Sequence, residues 1–504
     1  MFSTVLSATL KGLNVEFVQV EADVSNGLPM FHLVGYLSSE VKEAGERVRT
    51  AIRNSGIVLP AKKMVVNLSP ANLRKSGNVF DLPIAVAVLT ALGELPEQME
   101  GETLWIGELS LDGAVQKVSG ILPIVLSAKK RGCKRCVIPE ENRKEGELVE
   151  GIDVIGITHL NEVEKVLRKE RKSVKGMSSQ DMNRLTFERY LDYADIKGQR
   201  AIKRAVEVAV AGGHNILMVG PPGAGKTAIA KRIPGILPPL TLEESIEMTM
   251  LYSVLGKVNG DYPLKTERPF REVNASITKA ALLGGGVVPR PGEISLASKG
   301  VLFLDEIAEF PRALLETLRK PLEEHRITII RERGEYEFPA EFLLVAAMNP
   351  CPCGNYPDLN RCTCTEVQRK AYLGKLSQPF LDRIDICIDV PRVQYEHLTD
   401  IGREETSEEI RKRVIAARRI QQQRNAKTGA LTNARLSISA MEEICKLDHE
   451  GCEIMQRAYE RLGLTARTYH KVIGVARTIA DLEGEKQICA KHLKEALGYR
   501  MMNM

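Results

Sequence analysis

A glycine-rich turn between an apolar run and a helical run is the strongest constraint on this 504-residue chain. Residues 215–233 read NILMVGPPGAGKTAIAKRI, and residues 220–227 fit the pattern G-x-x-x-x-G-K-[ST]. Such a turn lets backbone N–H groups close around a phosphate, and the helix that follows directs its positive end toward the same anion. The pattern therefore predicts a strand, a phosphate-binding loop and a helix within an α/β fold.

The individual positions of this loop have distinct predicted roles. The Lys226 ammonium is expected to reach the β- and γ-phosphate oxygens, and the Thr227 hydroxyl is expected to bind Mg²⁺. An ordinary glycine turn is the alternative, but the strand-loop-helix context argues against it. We therefore predict ATP and Mg²⁺ as ligands. The other positions expected to hold the nucleotide are Gly220, Pro221, Pro222, Gly223, Ala224 and Gly225.

A second apolar run, GVLFLDEIAEF at residues 300–310, contains two adjacent carboxylates. A buried parallel strand presents functional side chains at its C-terminal edge, where ligands bind in such sheets. Asp305 is expected to hold the metal through its water shell, and Glu306 to orient the attacking water as general base. An apolar run of this kind also fits a plain core strand, but its position after the phosphate loop favours the catalytic interpretation.

Asn349 ends the next apolar run, EFLLVAAMNP. On the neighbouring strand its amide would lie beside the γ-phosphate, where it can help to position water. This is the sensor 1 position of AAA+ ATPases, and the combined motifs resemble that family. The resemblance implies an α/β P-loop NTPase core with a helical lid. The segment DIKGQ, residues 195–199, is similar to the family's adenine-contacting hinge, which implies a role for Ile196 and Gln199.

Two arginines extend the resemblance to the MCM and magnesium-chelatase branch. Arg383 in FLDRIDICIDV resembles the arginine finger of that branch, and Arg467 in TARTYHKVIGVARTIADL resembles its sensor 2. A planar, permanently charged guanidinium can neutralise charge that develops on the γ-phosphate. A finger that acts on a neighbour's nucleotide requires a ring. The alternatives are a surface ion pair of Arg383 with Asp382 or Asp385, and Arg477 in place of Arg467.

Two segments are expected to form loops directed at a central pore. Residues 281–300 contain three consecutive glycines and two prolines that interrupt a helix, and residues 325–342 predict a β-hairpin that turns at Gly334. They resemble the helix-2 insert and pre-sensor-1 hairpin of the same branch, which in helicases point into the channel. Their basic residues would bind a phosphate backbone without reading sequence; ordinary solvated charges are the alternative. These residues are Arg290, Arg331 and Arg333.

The chain around these motifs divides into further parts. Residues 1–168 alternate strand-like and helical runs, and residues 169–189 are a charged linker poor in apolar residues. The motif-bearing core covers residues 190–394, and residues 395–504 have the apolar spacing of a helical lid domain. The net charge of +5 is small, so any basic surface for nucleic acid must be local.

The segment KSGNVFDLPIAVAVLTAL and residues 105–142 resemble the C-terminal protease domain of Lon, an α+β fold of the ribosomal-S5-like type. At the places of the peptidase Ser and Lys this chain has Asp81 and Leu122. Without a nucleophile and its amine base, we expect no peptidase activity. The resemblance implies a binding or ring-forming module, and DNA contact through Arg74 and Lys75 is a hypothesis.

Four closely spaced cysteines follow Asn349, in the pattern C-x-C-x8-C-x-C. Four thiolates in one loop can bind Zn²⁺ tetrahedrally, and the filled coordination shell would make the site structural. Free thiols without metal and a redox disulfide are the alternatives. The residues are Cys351, Cys353, Cys362 and Cys364.

Nearly the whole chain resembles the ComM/YifB family of magnesium-chelatase-like proteins, with the Lon-like part first and RPFREVNASITKAALLGGGVVPRPGEISLASKGVLFLDEIAEF within the core. The resemblance implies an ATP-driven homo-hexamer that migrates DNA branches in homologous recombination or natural transformation. Its DNA would be branched or single-stranded, with little sequence specificity. The alternative is a chelatase-like subunit that remodels a protein or metal-insertion partner without DNA. A nucleotide-gated scaffold with little turnover fits the complete motif set least.

The chain has no pattern typical of membrane insertion. Its first residues alternate apolar and polar types and do not resemble a signal peptide, and no apolar run approaches the roughly 18 residues of a membrane span. The ten cysteines fit a reducing compartment better than a disulfide scaffold. We expect a cytoplasmic protein.

Overall fold

The computed structural model describes residues 1–97, 101–168, 190–332, 334–392 and 402–500. The predicted linker, residues 169–189, lies outside the described residues, and so does Arg333. Within the described ranges, strands and helices alternate as far as residue 389, and helices follow from residue 407.

Seven strands of the N-terminal part form one mixed sheet. β1 (Phe2–Lys11) and β2 (Asn14–Ser25) pair antiparallel; burial alternates along β2, as its apolar and polar residues do, whereas the middle of β1 is buried continuously. The others are β3 (Met30–Val34), β4 (Lys63–Ser69), β5 (Thr103–Trp105), β8 (Arg135–Pro139) and β9 (Asp153–Ile157), while β6 (Glu108–Leu109) and β7 (Val115–Gln116) pair separately. The sheet order is β3-β4-β2-β1-β5-β8-β9.

The helices of this part include one that is buried on every side. Their described bounds are α1 (Ser39–Asn54), α2 (Asp81–Leu92), α3 (Ile121–Arg131), α4 (Arg143–Gly146) and α5 (Val163–Leu167). The apolar helix α2 packs between β1, β2 and α1. Its first residue, the fully buried Asp81, accepts two hydrogen bonds from Arg47 of α1, each 2.9 Å long. Leu122 of α3 is equally buried. Both positions that the sequence predicts to correspond to peptidase residues therefore belong to the core.

Lys75 does not have the surface position that the DNA-contact hypothesis requires. Its side chain is fully buried, and its ammonium donates to the Pro70 carbonyl. The backbone of Lys75 forms hydrogen bonds with Tyr36 and Ser38, at 2.9 Å each, which turn the side chain inward. The hypothesis that Lys75 contacts DNA is therefore wrong. Arg74 is partly exposed and lies over the Tyr36 ring.

Five parallel strands form a second sheet. They are β10 (Ile216–Val219), β11 (Phe270–Val273), β14 (Val301–Leu304), β17 (Leu343–Met348) and β18 (Ile386–Asp389). Their order is β11-β14-β17-β10-β18, and all pairings are parallel. The three inner strands are buried along their whole length, which explains their continuous apolar sequences. The predicted α/β core with a parallel sheet is confirmed.

Short helices surround this sheet, and longer helices follow it. The first group is α6 (Arg200–Gly212), α7 (Lys226–Ala230), α8 (Leu242–Val254), α9 (Lys279–Leu283), α10 (Glu293–Leu296), α11 (Arg312–Thr317), α12 (Arg319–Glu324), α13 (Glu366–Leu373) and α14 (Gln378–Leu381). The second group is α15 (Ser407–Arg424), α16 (Ile438–Ile444), α17 (His449–Leu462), α18 (Ala466–Leu482) and α19 (Ala490–Gly498). Helices α15 and α18 pack on α6, so both groups share one hydrophobic core. Within the described ranges, no helix is long and apolar enough to cross a membrane.

The two segments predicted as pore loops both form antiparallel hairpins. β12 (Gly284–Gly285) and β13 (Arg290–Pro291) pair between α9 and α10, so the insert interrupts a helical segment as the glycines predict. β15 (Arg326–Arg331) and β16 (Gly334–Pro339) pair with Arg331 opposite Gly334. Gly334 has a φ of +127°, a conformation that glycine adopts without strain.

Contacts between the N-terminal part and the second part include those of α3 and those of the turn between β1 and β2. Helix α3 packs on α8, where the Gly120 N–H donates to the Ser253 carbonyl at 3.0 Å and the Ser253 hydroxyl donates to Glu145. The turn between β1 and β2 lies beside the β15–β16 hairpin, and a Cβ added at Gly12 would meet the Tyr336 ring at 3.4 Å. The longer of the two hairpins is therefore in direct contact with the N-terminal part.

Candidate nucleotide-binding site

The phosphate loop leaves β10 at Gly220 and enters α7 at Lys226. Gly223 and Gly225 adopt φ values of +78° and +86°, a region that residues with a side chain rarely enter. A Cβ at either position would meet nothing within 4 Å, so backbone conformation and not space requires glycine here. A loop with such turns can direct successive N–H groups toward one anion.

The Lys226 side chain lies inside this loop. Its ammonium donates to the carbonyls of Gly220 and Pro221, at 2.6 and 3.1 Å. It also donates to the amide oxygen of Asn349 at 3.2 Å. Burial lowers the pKa of Lys226, and the nearby Asp305 carboxylate opposes that effect. The lysine and the amide that are both predicted to face the γ-phosphate are therefore in direct contact.

Asp305 and Glu306 follow β14 at the same edge of the sheet. The Thr227 hydroxyl donates to Asp305 at 2.7 Å, so the two predicted Mg²⁺ ligands meet, and both offer the oxygen atoms that Mg²⁺ prefers. Glu306 is exposed and has a φ of +49°, a strained conformation for a residue with a side chain. Its carboxylate is close enough to Lys226 to raise the pKa of that lysine, against the larger effect of burial.

The segment predicted to contact adenine is held by several hydrogen bonds. Gln199 has a φ of +52°, and its amide donates to the carbonyls of Ala224 and Pro391, at 2.9 and 3.3 Å. Ile196 packs against the core of the sheet. Glu404, which no motif indicated, accepts a hydrogen bond of 2.7 Å from the backbone of this segment. The segment is thus tied to the phosphate loop on one side and to the chain that precedes α15 on the other.

Arg383 and Arg467 meet at a single carboxylate, Glu323 of α12. Both guanidinium groups donate to the same Glu323 oxygen, and the Arg383 bond measures 2.7 Å. Only 7% of the Arg383 side chain is exposed. Burial tends to raise the pKa of Glu323, but the hydrogen bonds from Arg467 and Arg383 outweigh it and lower that pKa. The motifs predicted both arginines, whereas Glu323 carries no local sequence signature.

The structure argues against the alternatives for these two positions. Among the described residues, Asp382 and Asp385 pair with side chains other than Arg383. Arg477 is buried and forms an ion pair with Asp481 inside the helical part. A structural role therefore accounts for Arg477, and Arg467 is the arginine of α18 that lies near Arg383.

The two arginines lie at the opposite edge of the sheet from the phosphate loop. Arg383 precedes β18, and its carbonyl accepts a hydrogen bond from Asn215, the residue before β10. The phosphate loop begins at the other end of β10, at Gly220. Five steps of about 3.3 Å put roughly 16 Å of strand between Asn215 and that loop. This distance is more than an arginine side chain spans, so Arg383 cannot reach a nucleotide held by its own chain.

The basic residues of the two hairpins lie at the surface. Arg290 of β13 and Arg331 of β15 are both exposed. A Cβ added at Gly285, the strand partner of Arg290, would lie 3.9 Å from the Arg331 guanidinium. The structure therefore brings the two hairpins side by side.

The four cysteines form a compact cluster after β17. Their Sγ atoms all lie within 4.8 Å of one another, and three of the separations are 3.4, 3.7 and 3.6 Å. Zn–S bonds of about 2.3 Å in a tetrahedron put sulfur atoms about 3.8 Å apart. The cluster thus has the size and the donor set of a zinc site. No cysteine of the described ranges is in a disulfide.

Comparison with known proteins classifies the chain. Models of magnesium chelatase, subunit ChlI, of subunit ChlI of Mg-chelatase, and of the ChlI C-terminal region match residues 192–398, 20–142 and 404–500. The competence protein ComM of Haemophilus influenzae is 41% identical over 502 residues, 99% of this chain and 97% of that protein. The chain belongs to the ComM/YifB family. YifB of Escherichia coli is 40% identical over 495 residues, 98% of this chain and 96% of that protein.

The ComM/YifB assignment explains the two-part architecture. The five-stranded parallel sheet and its motifs fall within the match to magnesium chelatase and are consistent with a magnesium-chelatase-like AAA+ domain. The peroxisomal Lon protease homolog 2 of Oryza sativa is 30% identical over 173 residues, 30% of this chain and 19% of that protein. This likeness is partial, so the ChlI match carries the classification of residues 20–142.

Proposed function

We propose that this ComM/YifB-family protein hydrolyses ATP between adjacent copies of itself and uses the cycle to move DNA. The observation that carries the proposal is the division of the predicted catalytic groups between two edges of one sheet. The phosphate loop and the oxygens of Thr227 and Asp305, proposed to bind the metal, are at one edge, which we call the phosphate edge. Arg383 and Arg467 lie together at the other edge, which we call the arginine edge. A complete site then forms only where the phosphate edge of one copy meets the arginine edge of the next.

Each side chain at the phosphate edge would have a separate role in hydrolysis. Thr227 and Asp305 would hold Mg²⁺, which when bound neutralises charge on the β- and γ-phosphates. When ATP binds, the Lys226 ammonium would release the carbonyls of the phosphate loop and donate hydrogen bonds to phosphate oxygens instead. Glu306 would accept a proton from the attacking water, and Asn349 would orient that water.

A closed ring is the assembly that lets every copy use both edges. Contact between two different surfaces of the same chain is heterologous, and such contacts form rings when the rotation closes. Family resemblance supports six copies. Each Arg383 would then stabilise negative charge on the γ-phosphate held by its neighbour, and Arg467, bound to the same Glu323 oxygen, would reach the same nucleotide.

The proposed substrate of the motor is branched or single-stranded DNA. The full-length match to a competence protein supports it. The adjacent hairpins also support it, because the exposed Arg290 and Arg331 can bind a phosphate backbone without reading bases. Arg333, two positions after Arg331 in the sequence, would add a third positive charge. DNA moved through the ring would contact these hairpins in turn.

Forked or four-way DNA is expected to stimulate ATP hydrolysis by the full chain several-fold. Replacing Arg290 and Arg331 together by alanine should remove most of the stimulation and preserve the DNA-free rate, because both side chains are exposed on the hairpins and neither belongs to the proposed ATP site. The slope of the logarithm of DNA affinity against the logarithm of salt concentration should become less steep by about one unit for each lost phosphate contact. The readouts are phosphate release and DNA binding across salt concentrations.

The matched control for that experiment is Arg457→Ala, which removes an exposed arginine of α17 and should leave stimulation unchanged. Absence of both DNA binding and stimulation at low salt would refute DNA as the substrate. It would favour the alternative, a chelatase-like subunit that remodels a protein or metal-insertion partner, which the ChlI family matches support.

For the N-terminal part we propose a Lon-like module without peptidase activity. The carboxylate of Asp81 is occupied by Arg47, and Leu122 offers no amine, so neither position has the chemistry of a nucleophile or its base. The contact between Gly12 and Tyr336 supports a mechanical role, because it joins this module to the longer hairpin.

Zn²⁺ is the metal that we propose the four cysteines bind. Protein purified without chelator from cells supplied with zinc is expected to contain about one zinc per chain, measured by elemental analysis. Replacing Cys353 and Cys362 by serine should remove most of it, while the control Cys452→Ser, an exposed thiol on α17, should not. Wild-type protein without zinc would reject the proposal and leave free thiols. Unpaired cysteines fit the reducing cytoplasm that we propose for the protein.

A further inference from the structure

The cysteine loop, defined as residues 350–364, contacts the phosphate loop directly. Its first thiol, Cys351, follows Asn349 by two positions and is fully buried. Gly354 then passes so close to the phosphate loop that an added Cβ would lie 2.5 Å from Cδ of Pro222. Gly354 has a φ of +77°, so both its conformation and its surroundings require glycine. The cysteine loop is thus packed against the loop that would hold ATP.

The helix that follows the cysteine loop leads the chain back to Asn349. Helix α13 begins with a capping box between Thr365 and Gln368, and its Tyr372 is buried. Burial raises the pKa of Tyr372 to about 12, and the backbone of Asn349 lies close enough to oppose that rise. Arg369 lies over the Tyr356 ring at 4.2 Å and ties α13 to the cysteine loop. The chain on both sides of the cysteine loop therefore lies close to Asn349.

A cavity beside the cysteine loop gives it room to move. The cavity has a volume of about 410 Å³ and is lined by Pro221, Pro350, Tyr356 and residues of α13. A loop of this length has high conformational entropy when nothing closes it, and a bound metal would remove much of that freedom. When no metal is bound, we expect the cysteine loop to shift into this cavity and to leave the phosphate loop unsupported.

We propose that the metal-bound cysteine loop is a part of the ATP site, so that nucleotide affinity depends on the metal. Each thiol that binds Zn²⁺ loses its proton, and the four bonds fix Gly354 against Pro222 and Asn349 at the end of β17. Metal binding then orders the cysteine loop before the nucleotide arrives. Nucleotide binding no longer carries the entropy cost of ordering that loop, so nucleotide affinity rises. The inference rests on the proposed ATP site and the proposed zinc site.

Coupling between two binding sites is reciprocal, which gives a readout that does not involve turnover. If zinc favours nucleotide binding, nucleotide must favour zinc retention by the same factor. Competition with a colorimetric zinc-selective chelator, followed to equilibrium, reports how much zinc the full chain releases. ADP or a non-hydrolysable ATP analogue, each with Mg²⁺, is expected to raise several-fold the chelator concentration that removes half of the zinc. The Lys226→Ala protein, which should bind nucleotide poorly, is expected to show no such effect.

The converse measurement uses a fluorescent ATP analogue. Its affinity is expected to fall by about tenfold after zinc is extracted, a size typical of coupled sites, and to recover when Zn²⁺ is returned. Equal zinc release with and without a nucleotide that binds normally would overturn the coupling. Failure of the wild-type protein to bind the analogue at all would instead refute the proposed ATP site, and zinc-free wild-type protein would refute the metal site.

Gly354→Ala separates the two sites without removing a thiol. The added methyl group would meet Pro222 at 2.5 Å and push the cysteine loop off the phosphate loop. We expect this variant to keep its zinc, to bind the analogue more weakly and to lose the effect of nucleotide on zinc release. Gly484→Ala is the matched control, because Gly484 has a φ of +73° and its Cβ would meet nothing within 4 Å. Normal analogue affinity in a zinc-loaded, folded Gly354→Ala protein would overturn the proposal. If that variant fails to fold, the wild-type release experiment decides.

Discussion

Glu306→Gln is expected to bind ATP normally and to stop turning it over. Glutamine has nearly the same size but cannot accept the proton of the attacking water, and loss of a general base costs about 10²–10⁴-fold in rate. The substitution should not disturb the loop, because the hydrogen bond that fixes this turn runs from the Glu306 backbone N–H to Asp305, at 2.9 Å. Asp305 and Thr227 remain in place to hold the metal.

Phosphate release and binding of a fluorescent ATP analogue measure the two expectations separately. The matched control is Glu309→Gln, which removes another exposed carboxylate of the same segment whose partner is Lys375. The control should turn over ATP at close to the wild-type rate. Normal turnover in Glu306→Gln would remove Glu306 from its proposed role, and weak analogue binding would mean that it supports the loop and not the reaction.

The residues at the phosphate edge could be predicted because each belongs to a local pattern: Lys226 closes the glycine-rich motif, and Asp305 and Asn349 each follow a buried strand. β10, β14 and β17 are buried on both faces, so their sequences are apolar without interruption, and the first polar residue marks the end of the strand. Strands that run parallel in one sheet bring those ends together. The sequence alone therefore predicts that Lys226, Asp305 and Asn349 lie near one another.

The contacts made across long stretches of chain could not be predicted in this way. Glu323 is one of several charged residues on a short helix, and its importance appears only when α18 and the start of β18 bring two arginines to it. The contact between Gly354 and Pro222 joins two loops, and no pattern in either loop's sequence indicates that it contacts the other. The charge of Lys75 favours a surface position, whereas pairing of its backbone with residues 36 and 38 turns it inward.

Arg383→Ala protein mixed with Lys226→Ala protein is expected to regain part of the activity that each lacks. Alone, an arginine-finger variant should lose about 10³–10⁵-fold in rate. In mixed rings, an intact phosphate edge from one variant meets an intact arginine edge from the other. With equal amounts and random order, about one quarter of the interfaces are complete, so the regained rate should approach that fraction of the wild-type rate. The measurement is ATP turnover across mixing ratios after the rings have exchanged subunits.

The sharpest control is a mixture of two variants from the same edge. Arg383 and Arg467 share the Glu323 oxygen, so both should serve the nucleotide of the same neighbour. In rings of Arg383→Ala and Arg467→Ala chains, every arginine edge lacks one guanidinium, and no order of subunits produces a complete interface. This mixture should therefore stay as inactive as its components, whereas Arg467→Ala with Lys226→Ala should recover. Recovery in the same-edge mixture, or none in exchanged rings that contain Lys226→Ala, would mean that the two arginines do not act together on the neighbour's nucleotide.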